Sequence, residues 1–184
     1  MVRAIIFDLG GVLIENPAQG LIDYCANHLK VGSAPLKKAF SQYEAAYQRG
    51  ELTEAQFWQN LCQYLHCSLP TVPSLWGSAF ASVYKPISQM FNLVRQLHTN
   101  YMTALLSNTE IPVVTFFTQQ NIPPFHVAVY SCKVGMRKPE ARIYHHALQL
   151  LKLQPQDVVF IDDRQDFIDG AAAVGLKTIL FKSP

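Results

Sequence analysis

Short, almost entirely apolar segments alternate with segments of helical periodicity along most of the chain. The apolar segments are rich in β-branched and aromatic residues, as is typical of strands buried on both faces of a sheet. They are residues 2–7, 102–106, 127–130, 158–161 and 176–181. From residue 86 onward, amphipathic helical segments separate them. This strand–helix alternation predicts an α/β fold with a parallel sheet wound on both sides by helices.

The segment after the first strand has a different pattern. It shows helical periodicity without a convincing strand, and Thr53 with Gln56 forms a capping-box pattern that predicts a helix start. Pro70, Pro73 and Gly77 are expected to break this segment into short helices.

The change in pattern predicts two parts of the chain. Residues 1–14 and 85–184 form the predicted α/β core, and residues 15–84 form a helical insertion after the first strand. Within the core, Pro139 is predicted to open a strong helix that runs to about Leu151.

Polar side chains follow three of the predicted strands. They are Asp8, the pair Ser107-Asn108 and the pair Asp162-Asp163. Ligands of open parallel sheets bind where the strands end, at their carboxyl ends, so we expect these residues to meet at one edge of the sheet. Lys138, just before a helix in the same alternating half, is expected to join them.

These residue types point to phosphoryl transfer. Two adjacent carboxylates repel each other unless a cation lies nearby, and an oxygen-rich cluster suits Mg²⁺. Asp8 is a candidate nucleophile toward phosphorus, while Lys138 and Ser107 are candidates for neutralising the phosphate oxygens. Each residue alone also fits a structural role, such as a helix cap or a solvated lysine, but their joint placement favours a site.

Four segments resemble, in order, the signature motifs of the haloacid dehalogenase-like hydrolase superfamily. They are residues 5–13 (IIFDLGGVL), 105–109 (LLSNT), 135–140 (GMRKPE) and 159–163 (VFIDD). The resemblance implies a Rossmann-like core with a cap, and a covalent aspartyl-phosphate. Residues 135–144 are similar to the bacterial phosphatases that act on α-D-glucose 1-phosphate, which implies a sugar phosphate as substrate.

The resemblance also implies a magnesium site and a phosphate site that share the nucleophile. The magnesium ligands would be Asp8, the backbone carbonyl of Gly10, Asp163 and, beside it, Asp162. The phosphate would be held by Ser107, Asn108 and Lys138.

Gly10 departs from the superfamily pattern. Most of its phosphatases carry an Asp there as general acid and base, whose loss typically costs about 10²–10⁴-fold in rate. Glu15 is a weaker candidate for that role, because a glutamate at such a position is more often an exposed turn residue than a proton donor. Two alternatives stay open: a catalytically weak or inactive binding protein, and a 2-haloacid dehalogenase, against which the Asp162-Asp163 pair counts.

Composition narrows the choice of partners. Apolar residues make up 49% of the chain and charged residues 15%, which predicts a globular core. Lys and Arg are scattered, so no basic stripe predicts nucleic-acid binding, and no apolar run is long enough for a membrane span. The start of the chain lacks signal-peptide features and the four cysteines form no CxxC motif. We therefore expect a cytoplasmic protein whose partner is a small phosphorylated substrate.

Overall fold

A single parallel sheet forms the centre of the molecule in the computed structural model, which describes residues 1–184. Its five strands lie in the order β3-β2-β1-β4-β5, and every neighbouring pair is parallel. The strands are β1 (Ala4–Phe7), β2 (Met102–Ser107), β3 (Val127–Tyr130), β4 (Val158–Asp162) and β5 (Lys177–Leu180). The predicted parallel α/β sheet is therefore confirmed.

Nine α-helices surround or precede this sheet, and one 3₁₀ turn (Pro155–Asp157) leads into β4. The helices are α1 (Ala18–Leu29), α2 (Ser33–Gln48), α3 (Glu54–Leu65), α4 (Leu75–Val83), α5 (Ser88–Leu97), α6 (Ile111–Phe117), α7 (Ser131–Val134), α8 (Ala141–Leu151) and α9 (Gln165–Ala173). None of them is long and apolar enough to cross a membrane.

The two faces of the sheet are covered by different helices because side chains alternate along each strand. On β1, Ile5 and Phe7 belong to a core that also holds residues of α1–α6, whereas Ala4 and Ile6 belong to a second core formed with α8 and α9. Helices on both faces make the sheet doubly wound, as the sequence predicted.

Two local predictions of helix boundaries were wrong. Gly77 lies inside α4 and does not break it, because its amide bonds to the Ser74 side chain at 3.0 Å as part of the helix N-cap. Pro139 does not open α8, which begins two residues later at Ala141 with Glu140 in an extended conformation. By contrast, the capping box of Thr53 and Gln56 at the start of α3 is confirmed.

Helices α1–α4 follow β1 without any intervening strand. The chain leaves and re-enters the core through two segments that lie side by side: the Glu15 amide donates to the Lys85 carbonyl, and the Ile87 amide donates to the Leu13 carbonyl, both at 2.9 Å. The division of the chain into a core and a cap (residues 15–84) stays a prediction. Below, "cap" refers to these residues.

The strand order positions the candidate site. Successive strands are added on one side of β1 as far as β3, and then on the other side as β4 and β5. The crevice between β1 and β4 is therefore the topological switch point at which open α/β sheets bind ligands. Phe7 pairs in register with Ile161, so Asp8 and Asp162 follow at the same level of the sheet.

Candidate active site

Lys138 joins two of the strand-end carboxylates. Its ammonium nitrogen lies 2.7 Å from Asp8 Oδ1 and 2.6 Å from Asp162 Oδ2, and its side chain is fully buried. The rings of Phe160 and Phe167 lie 5.3 and 4.8 Å from the same nitrogen. A buried ammonium needs such partners, because a charge without them is costly away from water. The predicted meeting of these residues at the sheet edge is confirmed, while their catalytic roles stay predictions.

Asn108 holds the backbone of Lys138 from the end of β2. Its Nδ2 donates to the Lys138 carbonyl at 2.9 Å, and its Oδ1 accepts from the Lys138 amide at 2.8 Å. The resemblance implies that Asn108 helps to hold the phosphate, and this role stays a prediction. In the structure its side-chain amide fixes the segment that carries the buried lysine.

Asp163 completes a cluster of three carboxylates. One oxygen from each of Asp8, Asp162 and Asp163 lies within 4.8 Å of the others. Gly11 makes room for this arrangement: a Cβ there would lie 2.1 Å from Asp163 Oδ2, and its φ of +82° favours glycine. Asn16, at the start of the cap, donates to the same oxygen at 3.4 Å.

The electrostatics of the cluster fit a divalent cation. Burial raises the pKa of Asp8 to about 7; Lys138 lowers it and Asp162 raises it. Burial and the neighbouring Asp162 also raise the pKa of Asp163. Three carboxylates face one ammonium here, and a hard divalent cation with oxygen ligands would offset the excess negative charge. These residues therefore have the right donor type, spacing and charge for Mg²⁺.

Ser107 and Gly10 flank the same cluster. Ser107 is buried at the end of β2 and lines the cavity beside Asp8. Gly10 also lines the cavity, and a Cβ there would come within 3.3 Å of Pro17 Cδ, so little space is open to a larger side chain. Glu15 is exposed, lies 3.4 Å from the Lys85 ammonium and does not line the cavity. Glu15 is therefore exposed, as expected, although it lies just after a turn and not within it.

The cavity extends from the carboxylates to the cap and has a volume of about 600 Å³. Its cap end is lined by Glu110, Gln48, Trp76 and Phe40, among others. Phe40 is half-buried: its ring stacks on that of Trp76 with the centroids 5.1 Å apart, and it also lines the cavity. The sequence pattern did not indicate Glu110, Gln48 or Trp76 as site residues. The only sequence feature that could have indicated Glu110 as a site residue is its position three residues beyond Ser107.

Other aromatic residues of the cap pack its interior. Tyr47 and Trp58 are buried, and the rings of Tyr47 and Phe57 stack with their centroids 4.2 Å apart. Neither Tyr47 nor Trp58 lines the cavity. These two side chains therefore stabilise the cap and are not placed to contact a substrate.

Comparisons with known proteins identify relatives over the whole chain. The family model for haloacid dehalogenase-like hydrolases matches residues 2–175. Acyl-CoA dehydrogenase family member 10 of Mus musculus is 30% identical over 99% of this chain, but the match spans only 18% of that protein. A sesquiterpene phosphatase of Aspergillus oryzae is 26% identical, with 95% of this chain and 87% of that protein covered.

The solved structures show the same fold. A HAD family enzyme of Bacteroides thetaiotaomicron, crystallised with magnesium and inorganic phosphate, superposes with a TM-score of 0.78 at 21% identity. The match covers 99% of this chain and 95% of that one. A magnesium complex of the same enzyme gives a TM-score of 0.85 at 21% identity, with 98% and 93% covered.

Proposed function

Because the chain belongs to the haloacid dehalogenase-like hydrolase family, we propose that this hydrolase is a magnesium-dependent phosphatase of small phosphorylated metabolites. The proposed substrate is a sugar phosphate, and the proposed intermediate is an aspartyl-phosphate on Asp8. The observation that carries the proposal is the position of Asp8 Oδ1, 2.7 Å from the buried Lys138 ammonium, within a cluster of three carboxylates.

The proposed reaction has two displacements at phosphorus. In the first, the Asp8 oxygen that Lys138 does not engage attacks phosphorus, the bond to the leaving oxygen breaks, and that oxygen takes up a proton from solvent to give the alcohol. In the second, water attacks the aspartyl-phosphate and releases a proton to solvent, and inorganic phosphate leaves as the Asp8 carboxylate is regenerated. Lys138 and Ser107 would contact the phosphate oxygens, where negative charge must be stabilised.

The metal site would consist of Asp8, Asp163, the Gly10 carbonyl and, directly or one layer behind, Asp162. A bound Mg²⁺ supplies positive charge that offsets the charge of the phosphate and the carboxylates. Asp162 already accepts a hydrogen bond from the Arg164 amide at 2.9 Å and one from Lys138. These contacts favour an outer position for Asp162, with Asp163 as the direct ligand.

The relatives support the chemistry more than the substrate. One carries the name sesquiterpene phosphatase and one solved neighbour holds magnesium and phosphate, which favours phosphate ester hydrolysis here. The sugar-phosphate assignment rests on the resemblance of residues 135–144 to phosphatases of that class. A cytoplasmic location is consistent with four free cysteines, three of which are buried.

Gly10 supports the alternatives, an inactive binding protein or a dehalogenase, because it removes the usual proton donor. The three-carboxylate cluster weighs against a metal-independent dehalogenase. A leaving group that needs little protonation, such as an anomeric hydroxyl, is compatible with Gly10, so the phosphatase remains the best-supported function.

The deciding experiment measures hydrolysis of p-nitrophenyl phosphate and a panel of sugar phosphates with Mg²⁺ or with EDTA. We expect metal-dependent turnover that falls by about 10⁴-fold or more in Asp8→Asn, and a phosphoryl adduct on Asp8 by mass spectrometry. Asp169→Asn, an exposed carboxylate on α9, is the matched control.

Three other outcomes would favour different functions. Absence of metal-dependent turnover over the whole panel would overturn the phosphatase. Chloride release from 2-chloropropionate in EDTA would favour the dehalogenase. Magnesium binding without turnover of any substrate would favour the binding protein.

A further inference from the structure

Glu110 is a buried carboxyl that the proposed chemistry does not use. Its residue is only 5% exposed, and its Oε2 accepts a hydrogen bond from the Trp76 indole at 3.0 Å. No Lys, Arg or His forms an ion pair with it. Although Glu110 occupies the N-cap position of α6, its side chain does not cap that helix. It reaches instead toward α4 of the cap, at the wall of the cavity.

Gln48 provides a second polar group at the same wall. It is 9% exposed and its Nε2 donates to Glu44 Oε1 at 3.3 Å, but its Oε1 has no hydrogen-bond partner. Buried acceptors in folded proteins almost always have a partner. Because Gln48 lines the cavity, a donor supplied by a ligand would satisfy this oxygen.

The proposed displacement brings the alcohol portion of the substrate to this wall. The attacking oxygen of Asp8 and the leaving oxygen lie on opposite sides of phosphorus. Asp8 lies at the sheet edge, so the leaving group extends away from the sheet and toward the cap. Trp76, Gln48 and Glu110 line that end of the cavity.

We propose that Glu110 and Gln48 bind a hydroxyl group on the alcohol portion of the substrate, and thereby select hydroxylated phosphate monoesters over apolar ones. This inference rests on the proposed phosphatase function and assigns its substrate recognition. An apolar leaving group would leave Gln48 Oε1 without a donor and would give Glu110 no partner besides the Trp76 indole. Sites built for hydroxyl groups discriminate strongly against analogues that lack them.

The state of the Glu110 carboxyl agrees with a hydroxyl as its partner. Burial raises the pKa of Glu110 to about 7, although the hydrogen bond from Trp76 opposes the shift. Near neutral pH the carboxyl is thus present in both protonated and ionised forms. A hydroxyl group can donate to the ionised form and accept from the protonated one.

The test compares a hexose 1-phosphate with cyclohexyl phosphate, a ring of similar size that lacks hydroxyl groups. In Mg²⁺ buffer we expect the wild-type kcat/KM to favour the hexose ester by about 10²-fold or more. Gln48→Leu should lower kcat/KM for the hexose ester by about tenfold, and Glu110→Leu should lower it by about 10²-fold. Neither substitution should reduce kcat/KM for cyclohexyl phosphate by more than about threefold.

Glu54→Gln is the matched control for Glu110. Its carboxylate also accepts from an indole, that of Trp58 at 3.1 Å, and from the Trp76 amide at 2.7 Å, and the Gln side-chain oxygen can keep both contacts. Glu54 does not line the cavity. The ratio of the two kcat/KM values should therefore stay at the wild-type level. Gln48→Leu removes an unpaired buried oxygen, so it is expected to fold even where Glu110→Leu does not.

Three results would overturn the inference. The first is a wild-type ratio of the two kcat/KM values near unity, and the second is an equal loss of kcat/KM on both esters in the variants. The third is a higher kcat/KM for O-phosphoethanolamine, which carries an ammonium group in place of hydroxyl groups, than for the hexose ester. If no ester is hydrolysed, the proposed function fails, and calorimetric binding of the same esters then decides the inference alone. Tighter binding of the hexose ester by the wild-type protein, abolished by Gln48→Leu, would support the inference. Equal affinity of the wild-type protein for the two esters would refute it.

Discussion

Asn108 illustrates at the residue scale how a side chain acts on the site through a neighbour. Both groups of its amide are engaged by the Lys138 backbone, so it fixes where the ammonium lies relative to Asp8 and Asp162. A serine or threonine at this position would be too short to make both contacts. The role is one of positioning, and it predicts a specific pattern of loss.

We expect Asn108→Ala to lower kcat on p-nitrophenyl phosphate by about 10²-fold, since small misplacements in an active site have effects of that size. The free energy of unfolding should fall by about 1–3 kcal/mol for the two lost hydrogen bonds. Steady-state kinetics and urea unfolding measure the two effects. Asn92→Ala, at an exposed position on α5, should change neither. A variant with wild-type kcat would contradict the positioning role.

Glu110 predicts a pH dependence of stability. Its pKa is raised from 4.5 to about 7 in the folded protein, chiefly by burial. The folded state therefore holds this proton more tightly than the unfolded state, and the resulting stabilisation is complete below pH 4.5 and lost as the pH rises through about 7. The Gln side chain of the Glu110→Gln variant is neutral at every pH, so this variant has no such loss of stability as the pH rises.

We expect the stability of Glu110→Gln relative to wild type to rise with pH across this window, by up to about 3 kcal/mol. Urea unfolding in magnesium-free buffer at several pH values measures the difference. The raised pKa of Asp8 affects both proteins and cancels in the comparison. Parallel stability curves for the two proteins would show that Glu110 does not titrate in this range.

At the scale of elements, the end of α2 docks the cap onto the core. Arg49 Nε donates to Glu140 Oε1 at 3.0 Å, two residues beyond Lys138, and Gly50 follows with a φ of +71°. A Cβ at Gly50 would lie 2.3 Å from the backbone oxygen of Cys132. Because a backbone atom cannot rotate away, the close approach of cap and core here depends on glycine.

Comparison with Gly135 separates two costs of a side chain at Gly50: the backbone strain of a positive φ, and the close approach to the Cys132 oxygen. Its φ is +67°, but nothing lies within 4 Å of a Cβ placed there. We expect Gly135→Ala to lower the free energy of unfolding by about 1–2 kcal/mol. Gly50→Ala should lower it by this amount and by about 1–3 kcal/mol more. Chemical unfolding of both variants measures the difference. Equal losses would mean that the cap adjusts without strain.

The elements themselves could be predicted from the sequence to the extent that burial dictated them. Strands β1, β2 and β4 were predicted because segments buried on both faces are almost wholly apolar, whereas the edge strand β5 is largely exposed. Helix starts were less accurate: the proline before α8 lies outside it, since the chain is still extended at Glu140. The four-residue helix α7 is too short to show a helical period and was not predicted.

At the scale of the whole molecule, the same logic explains which part of the site was predictable. Asp8, Lys138 and Asp162-Asp163 were brought together because parallel strands share one carboxyl edge. Glu110 and Gln48 were not, because their proximity depends on how the cap packs over the core. That packing follows from contacts between distant helices, which no local period encodes.

The charge balance of the assembled site gives the last prediction. Asp8, Asp162 and Asp163 lie close together at the ends of two strands, and only the Lys138 ammonium, which contacts Asp8 and Asp162, offsets their charge. The folded state therefore concentrates negative charge that the unfolded chain disperses. A cation that binds only this arrangement stabilises the fold. The gain is about 2.7 kcal/mol when free Mg²⁺ exceeds its Kd a hundredfold.

We therefore expect Mg²⁺, but not an equal ionic strength of NaCl, to raise the free energy of unfolding of the wild-type protein. Asp163→Asn should lose most of this gain, because it removes a ligand and leaves the buried Asp8–Lys138–Asp162 contacts in place. Asp166→Asn is the control, since that exposed carboxylate pairs with Arg164 outside the cluster. Urea unfolding with and without Mg²⁺ gives the difference for each protein. If Asp163→Asn gained as much as wild type, the cation would be binding elsewhere, and the assignment of the cluster as a metal site would fail.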